Sequence, residues 1–108
     1  MAAKTFSQKV LALVPKIPAG RVTTYKELAK AAGSPRAARA VGNVLNKNPR
    51  PVKAPCHRVV CSDGRIGGYA LGIGKKTRLL ESEGVEIENG QVAHFRERLV
   101  PAHALNTH

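Results

Sequence analysis

The sequence predicts a mainly α-helical domain with small β hairpins, arranged as a winged helix-turn-helix. Three observations predict it. Two capping boxes each open an apolar-periodic run, two short helices meet at one tight glycine turn, and the downstream half holds two short strand pairs around turn-forming triplets. The 108 residues have the length of one domain, placed at 1–100, with 101–108 read as a disordered C-terminal tail.

Thr5-Phe6-Ser7-Gln8 puts Thr at an N-cap and Gln at the third helical position, ahead of Val10, Leu13, Val14 and Ile17. The first helix therefore runs from Phe6 to about Val14. Pro15, Pro18 and Gly20 end it, and Arg21-Val22-Thr23 is a short extended piece. The second box, Thr24-Tyr25-Lys26-Glu27, opens a helix that continues through Leu28 to about Ala32, where Gly33 caps it. Ser34 as N-cap and Pro35 start a third helix, which runs to about Lys47 and stops at Asn48-Pro49.

This third helix divides by face. Ala38, Val41, Val44 and Leu45 lie on one side; Arg36, Arg39, Ala40, Asn43, Asn46 and Lys47 lie on the other. Set among the small residues Ala37, Ala40 and Gly42, the long donors can reach into a DNA groove, although a solvated face of a bundle helix has the same pattern. Net charge favours the first reading: 18 Lys and Arg against 7 Asp and Glu give +11, which points to a polyanion and foremost to nucleic acid. No basic amphipathic helix with bulky apolar anchors suggests a membrane surface.

The apolar patch from Val10 to Val14 ends at Pro15, too short for export or spanning, so a cytoplasmic protein with reduced thiols is expected, nucleoid-associated when bound to DNA. Two cysteines five apart and four histidines, two of them in the tail, form no recognisable zinc set; no metal and no cofactor are expected. Val59-Val60-Cys61 and Arg65-Ile66 flank Ser62-Asp63-Gly64 as one hairpin, and Val85-Glu86-Ile87 and Gln91-Val92-Ala93 flank Glu88-Asn89-Gly90 as another. Between them, Gly67 to Gly74 is a glycine-rich loop without the context of a phosphate loop, which excludes nucleoside triphosphate binding by that route. Lys75 to Glu83 is a helix with Leu79 and Leu80 inward and Gly84 as cap. Its terminal Glu83 sits where the helix dipole disfavours a carboxylate, a hint of another duty such as polarising a histidine.

Chemistry concentrates at Pro55-Cys56-His57-Arg58. A thiol with a pKa of about 8.5 is a weak nucleophile at neutral pH unless a base or positive field assists it; His57 offers the base and Arg58 some of the field. In isolation a Cys-His dipeptide is more often a small buried thiol beside an ordinary histidine. Adjacent side chains of an extended segment also point apart, so Cys56 and His57 meet only if the backbone turns, as Pro55 allows.

Taken together, Thr24-Tyr25, Ala38-Arg39-Ala40-Val41-Gly42, Asn48-Pro49, Pro55-Cys56-His57-Arg58-Val59, Gly68-Tyr69 and Glu83-Gly84, in that order, resemble the O6-alkylguanine-DNA alkyltransferases over roughly Phe6 to Gly84. The resemblance implies that Cys56 accepts the alkyl group irreversibly and once per molecule, that His57 takes its proton through a water, and that Glu83 orients His57. It implies that Asn48 braces the turn and the cysteine loop and that Arg39 fills the gap left by a nucleotide rotated out of the duplex, while Arg36, Asn43 and Lys47 are assigned to the DNA-binding side by the outward face of the third helix. Tyr25 would donate to the extruded guanine, the carbonyls of Cys56 and Val59 would receive its amino group, and Tyr69 with the backbone of Ala70 would close over it. Ala70 stands where the family often has a hydroxyl residue.

The partner implied is double-stranded DNA containing O6-alkylguanine, met by a monomer. The short form also resembles the alkyltransferase-like proteins, which bind O6-alkylguanine without transfer and flag it to excision-repair proteins. Those generally lack the acceptor cysteine, so Cys56 favours transfer.

Overall fold

A computed structural model describes residues 5–47, 55–69 and 71–106. Helix α1 (Phe6–Leu13) makes both halves of its capping box: Thr5 Oγ1 accepts from the Gln8 amide, and Gln8 Oε1 accepts from the Thr5 amide at 2.9 Å. Pro15 cannot continue the α ladder, and Val14–Lys16 tighten into a 3-10 turn. Strand β1 (Thr23–Thr24) leads into α2 (Tyr25–Ala31), whose N-cap Thr24 accepts from the Glu27 amide at 3.0 Å. The reciprocal half is missing because the Glu27 carboxylate is used elsewhere: Oε1 accepts from the Ala102 amide at 3.0 Å, and Oε2 lies 3.5 Å from Lys30.

Helix α3 (Ala38–Asn46) starts four residues after Ser34. Ser34 cannot cap it because it still belongs to the end of α2: its amide donates to the Ala29 carbonyl at 2.9 Å while Gly33, at φ +86°, donates to Lys30, a Schellman closure. Residues 34–37 then make a separate turn, Ala37 amide to Ser34 carbonyl. Helices α2 and α3 form the helix-turn-helix, and α1 packs on both.

Strand β2 (Val59–Val60) pairs with β1 in parallel, Thr23 opposite Val59 and Thr24 opposite Val60. Both valines are fully buried, and alternation sends them to different cores. Val59 packs with Val10, Val14, Leu28, Val41 and Leu45; Val60 packs with Val22, Ile66, Leu80, Val85 and Val92. The first expected hairpin is thus reduced to a closed turn, Cys61 amide to Arg65 carbonyl at 2.8 Å, because Val59 and Val60 take β1 as their partner and Arg65 bridges Gln91. The second hairpin forms: β3 (Ile87–Glu88) and β4 (Gln91–Val92) are antiparallel around Asn89 and Gly90, at φ +52° and +76°, the paired positive values of a type I′ turn. Helix α4 (Ile73–Ser82) covers the second core. No helix of the described residues is long and apolar enough to cross a membrane.

The tail expected to be disordered is instead built into the fold through Asn106. After α5 (Phe95–Arg98), Leu99 bridges Val22, the Val100 amide donates to the Val22 carbonyl at 2.7 Å, and Thr23 Oγ1 donates to the Val100 carbonyl at 2.7 Å. Helix α6 (Ala102–Leu105) then delivers Leu105, fully buried, to the first core. One helical turn is too short to show a period, which hid it among polar neighbours.

Leu105→Ala is expected to lower the unfolding free energy by about 2–4 kcal/mol, read from urea unfolding. A tail lying outside the core would give less than about 0.5 kcal/mol.

Candidate functional site

Between Pro55 and Val59 the backbone curls into a 3-10 turn, Cys56–Arg58, closed by the Arg58 amide on the Pro55 carbonyl at 3.0 Å. That turn removes the obstacle of opposite-facing neighbours and buries both side-by-side residues, Cys56 to 4% and His57 to 2% exposure. Cys56 and Cys61 are both thiols.

His57 Nε2 lies 3.1 Å and 3.2 Å from the two oxygens of Glu83, the C-cap residue of α4. A carboxylate only accepts, so Nε2 carries the proton and the neutral ring keeps its lone pair on Nδ1. Among the described residues nothing hydrogen-bonds Nδ1, which is buried. Burial holds the His57 pKa below its ordinary 6.5 in spite of the Glu83 hydrogen bond, so near neutral pH the ring is a base with an available acceptor.

Glu83 is shared. Arg58 Nε donates to Oε1 at 3.0 Å and Nη2 to Oε2, while Nη1 donates to the Ile17 carbonyl at 2.7 Å. Burial pushes the Glu83 carboxyl up, but hydrogen bonds from Arg58 and His57 outweigh it and hold the group below 4.5. Arg58, expected to lend its field to Cys56, is thus committed to Glu83 and to the segment after α1.

Two adjoining spaces, with three lining residues in common, lie beside the thiols. An outer groove of about 480 Å³ runs along α3 past Arg39 and Asn43 to Cys61 and Ser62; an inner cavity of about 100 Å³ reaches Cys56, Gly68 and Tyr69. Tyr25, Gly42 and Asn46 line both and form the threshold. A Cβ built on Gly42 meets nothing within 4 Å, so this glycine inside a helix leaves open the space between groove and cavity. Gly67, at φ +71°, sits where a Cβ would come within 3.2 Å of Cys61 Sγ and 3.4 Å of the Tyr25 hydroxyl; the positive φ strains any side chain there, and the tight contacts add to that strain. Burial foremost, and then the two thiols, push Tyr25 up to about 12, and burial raises Tyr69 as well, so both phenols stay protonated donors. The Tyr69 ring meets His57 edge-on at 6.4 Å.

The structure therefore brings Cys56, His57, Glu83, Tyr25 and Tyr69 together and puts Arg39 and Asn43 at the entrance. Arg36 and Lys47 are exposed nearby but line neither space; Lys47 borders a separate hollow with Ser7, Leu11 and Val44. Val59 stands behind the cavity, its carbonyl accepting from Lys76 Nζ at 2.7 Å. Asn48 and Ala70 lie outside the described residues. Sequence reasoning missed Arg58 as a clamp on Glu83 and missed Lys76 altogether. The signal for Lys76 was its place four residues before Leu80, on the inward stripe of α4.

Comparison with known proteins bears on this site. Residues 5–85 match the family described as 6-O-methylguanine DNA methyltransferase, DNA binding domain. A methylated-DNA--protein-cysteine methyltransferase of Methanothermobacter thermautotrophicus is 49% identical over 84 residues, 77% of this chain and 46% of that protein. The Homo sapiens protein of that name is 46% identical over 82 residues, 75% of this chain and 40% of its own. The chain thus spans less than half the length of these relatives. A crystal structure of S. pombe Atl1 in complex with damaged DNA containing O6-carboxymethylguanine superposes with a TM-score of 0.79 at 34% identity, covering 93% of this chain and 98% of that one.

Glu83 contributes stability above 4.5 that is lost as pH falls through its lowered value. Arg58→Met should accordingly cost about 2 kcal/mol at neutral pH, with the gap from wild type closing in acid, in urea unfolding at both pH values. A gap that persists in full in acid would assign the contribution of Arg58 to its packing and its Ile17 bond, and not to Glu83.

Proposed function

The chain belongs to the 6-O-methylguanine DNA methyltransferase family, and from that premise we propose that it repairs DNA by moving the alkyl group of an extruded O6-alkylguanine onto Cys56. One observation carries the reading: the Cys56 turn, with His57 oriented by Glu83, lines an inner cavity that shares Tyr25, Gly42 and Asn46 with a groove on the face of α3 that carries Arg39.

Duplex DNA docks on that face, drawn by the net charge of +11. A stacked guanine hides its O6 substituent, so the nucleotide rotates out past the threshold, at a cost of a few kcal/mol, and Arg39 offsets part of this by occupying the gap. His57 Nδ1 receives the Cys56 proton through a water, and Glu83 stabilises the imidazolium that forms. The thiolate attacks the alkyl carbon in line: an S–C bond forms, the C–O6 bond breaks, and its electron pair leaves with the guanine. Tyr25, held protonated, donates to the departing base as charge develops on it. A thioether has no leaving group that these side chains can expel, so each molecule reacts once.

A second reading follows from the likeness to Atl1 over nearly all of that chain. In it the same pocket holds the lesion without transfer and excision-repair proteins act afterwards.

Intact mass after incubation with a duplex carrying one O6-methylguanine separates the two. Gain of a single methyl, absent in Cys56→Ala, is the expected result; lesion-selective binding with no gain would favour the second reading. Arg39→Ala should slow reaction with the lesion in duplex by roughly tenfold or more while sparing reaction with free O6-benzylguanine, because only the duplex pays for extrusion. Equal losses on both substrates would remove Arg39 from that role.

A further inference from the structure

Among the described residues, Lys76 is the largest fully buried side chain, at 0% exposure. A lysine is rarely enclosed without a carboxylate, yet among the described residues no acid is within ion-pairing distance of it. Its ammonium instead donates to two backbone carbonyls, Val59 at 2.7 Å and Gly68 at 3.1 Å, and stands 5.9 Å from the centroid of the Tyr25 ring. Gly68, on the glycine loop that carries Tyr69, and Tyr25, on the first turn of α2, line the inner cavity, and Val59 lies behind it on the strand that follows the Cys56 turn. Among the described residues, the bond from Lys76 to Gly68 is the one hydrogen bond that ties Gly67, Gly68 or Tyr69 to an element outside their loop.

Resting on the guanine-pocket reading above, we propose that Lys76 is a positioning residue for lesion recognition, its ammonium clamping the Gly67–Tyr69 loop to β2 and so fixing the spacing between Tyr69 and Tyr25 across which a guanine is held. A methionine fills the same volume without the cost of burying a cation, so a packing role alone does not call for lysine. The clamp is charge-assisted. Loss of the proton leaves an amine that still donates to both carbonyls but with roughly half the strength.

Burial lowers the Lys76 pKa to about 8, against the opposing pull of Cys61 and Cys56. The titratable groups facing it are these two thiols, His57 on the Cys56 turn and Tyr25 on α2. Lys75, Arg78 and Glu81 on its own helix are exposed. The clamp therefore weakens from about pH 8 upward, where the first titration of an ordinary lysine lies two units higher.

The test uses the full chain with Cys56→Ala, so that transfer cannot interfere, and measures the ratio of dissociation constants for undamaged and O6-methylguanine duplexes. Adding Lys76→Met should cut this lesion selectivity by about tenfold, the worth of one charge-assisted hydrogen bond, while leaving binding to undamaged duplex unchanged. Selectivity of the parent should also decline several-fold between about pH 7 and about pH 9.5, and that decline should vanish in the Lys76→Met protein. A folded Lys76→Met protein with parental selectivity, or with the same pH slope, overturns the proposal. A parent with no lesion selectivity at all overturns the pocket reading, and this inference with it. Should Lys76→Met fail to fold, wild-type protein decides: protection of the Gly72 amide, bonded to Tyr69 within the loop at 3.0 Å, must fall as Lys76 loses its proton, and constant protection overturns the clamp.

Discussion

The arrangement around Cys56 depends on one carboxylate serving two bases from a single turn. Glu83 accepts from His57 and from Arg58, which are adjacent in sequence, and it can do so only because the 3-10 turn brings both side chains to the end of α4. The helix dipole disfavours an acid there by a few tenths of a kcal/mol. Two donors, one of them a guanidinium, exceed that cost several-fold. Arg58 then carries the constraint outward to the Ile17 carbonyl, so the histidine, the last turn of α4 and the segment following α1 are fixed with respect to one another.

The opposite wall is organised by the absence of side chains. Gly42 leaves the α3 threshold open, and Gly67, at a positive φ that strains any side chain, sits where a Cβ would press on Cys61 and Tyr25. Glycine inside a helix costs up to about 1 kcal/mol relative to alanine. Such a cost at a position with open space beside it is understandable if a ligand, and not a neighbouring side chain, is what must fit. The outward charge of α3 and the inward opening are therefore features of one passage.

Much of this was legible in the sequence because it is local. Capping boxes, the Asn89-Gly90 turn, the α2–α3 turn and the two faces of α3 each declare themselves within a few residues. What was not legible depends on long-range competition for partners. Glu27 abandons its capping box for the Ala102 amide, Ser34 is spent on closing α2, and Val59-Val60 choose β1 over their sequence neighbour. In each case a local motif offered one partner and the fold supplied another, buried one. The site follows the same rule: Cys56, His57 and Glu83 stood out as an unusual dipeptide and a misplaced acid, whereas Arg58 was read only as a source of field for Cys56 and Lys76 as one of 18 Lys and Arg. The acceptors of Lys76 are backbone carbonyls, which no sequence pattern marks.

Burial acts on the two ends of the site in the same direction and with opposite consequences. It lowers both His57 and Lys76, because a buried cation is penalised whether it is an imidazolium or an ammonium. For His57 the result is a neutral ring over a wider range, extending below pH 6.5, as a base requires. For Lys76 the result is a narrower range of charge, ending near pH 8, beyond which its grip on the loop weakens. Under the proposed reading, a neutral His57 and a charged Lys76 are the states that base and clamp need, and both hold at neutral pH. Desolvation, usually a cost that a fold must offset, thus leaves there a ring that has lost its second proton beside an ammonium that has kept its own.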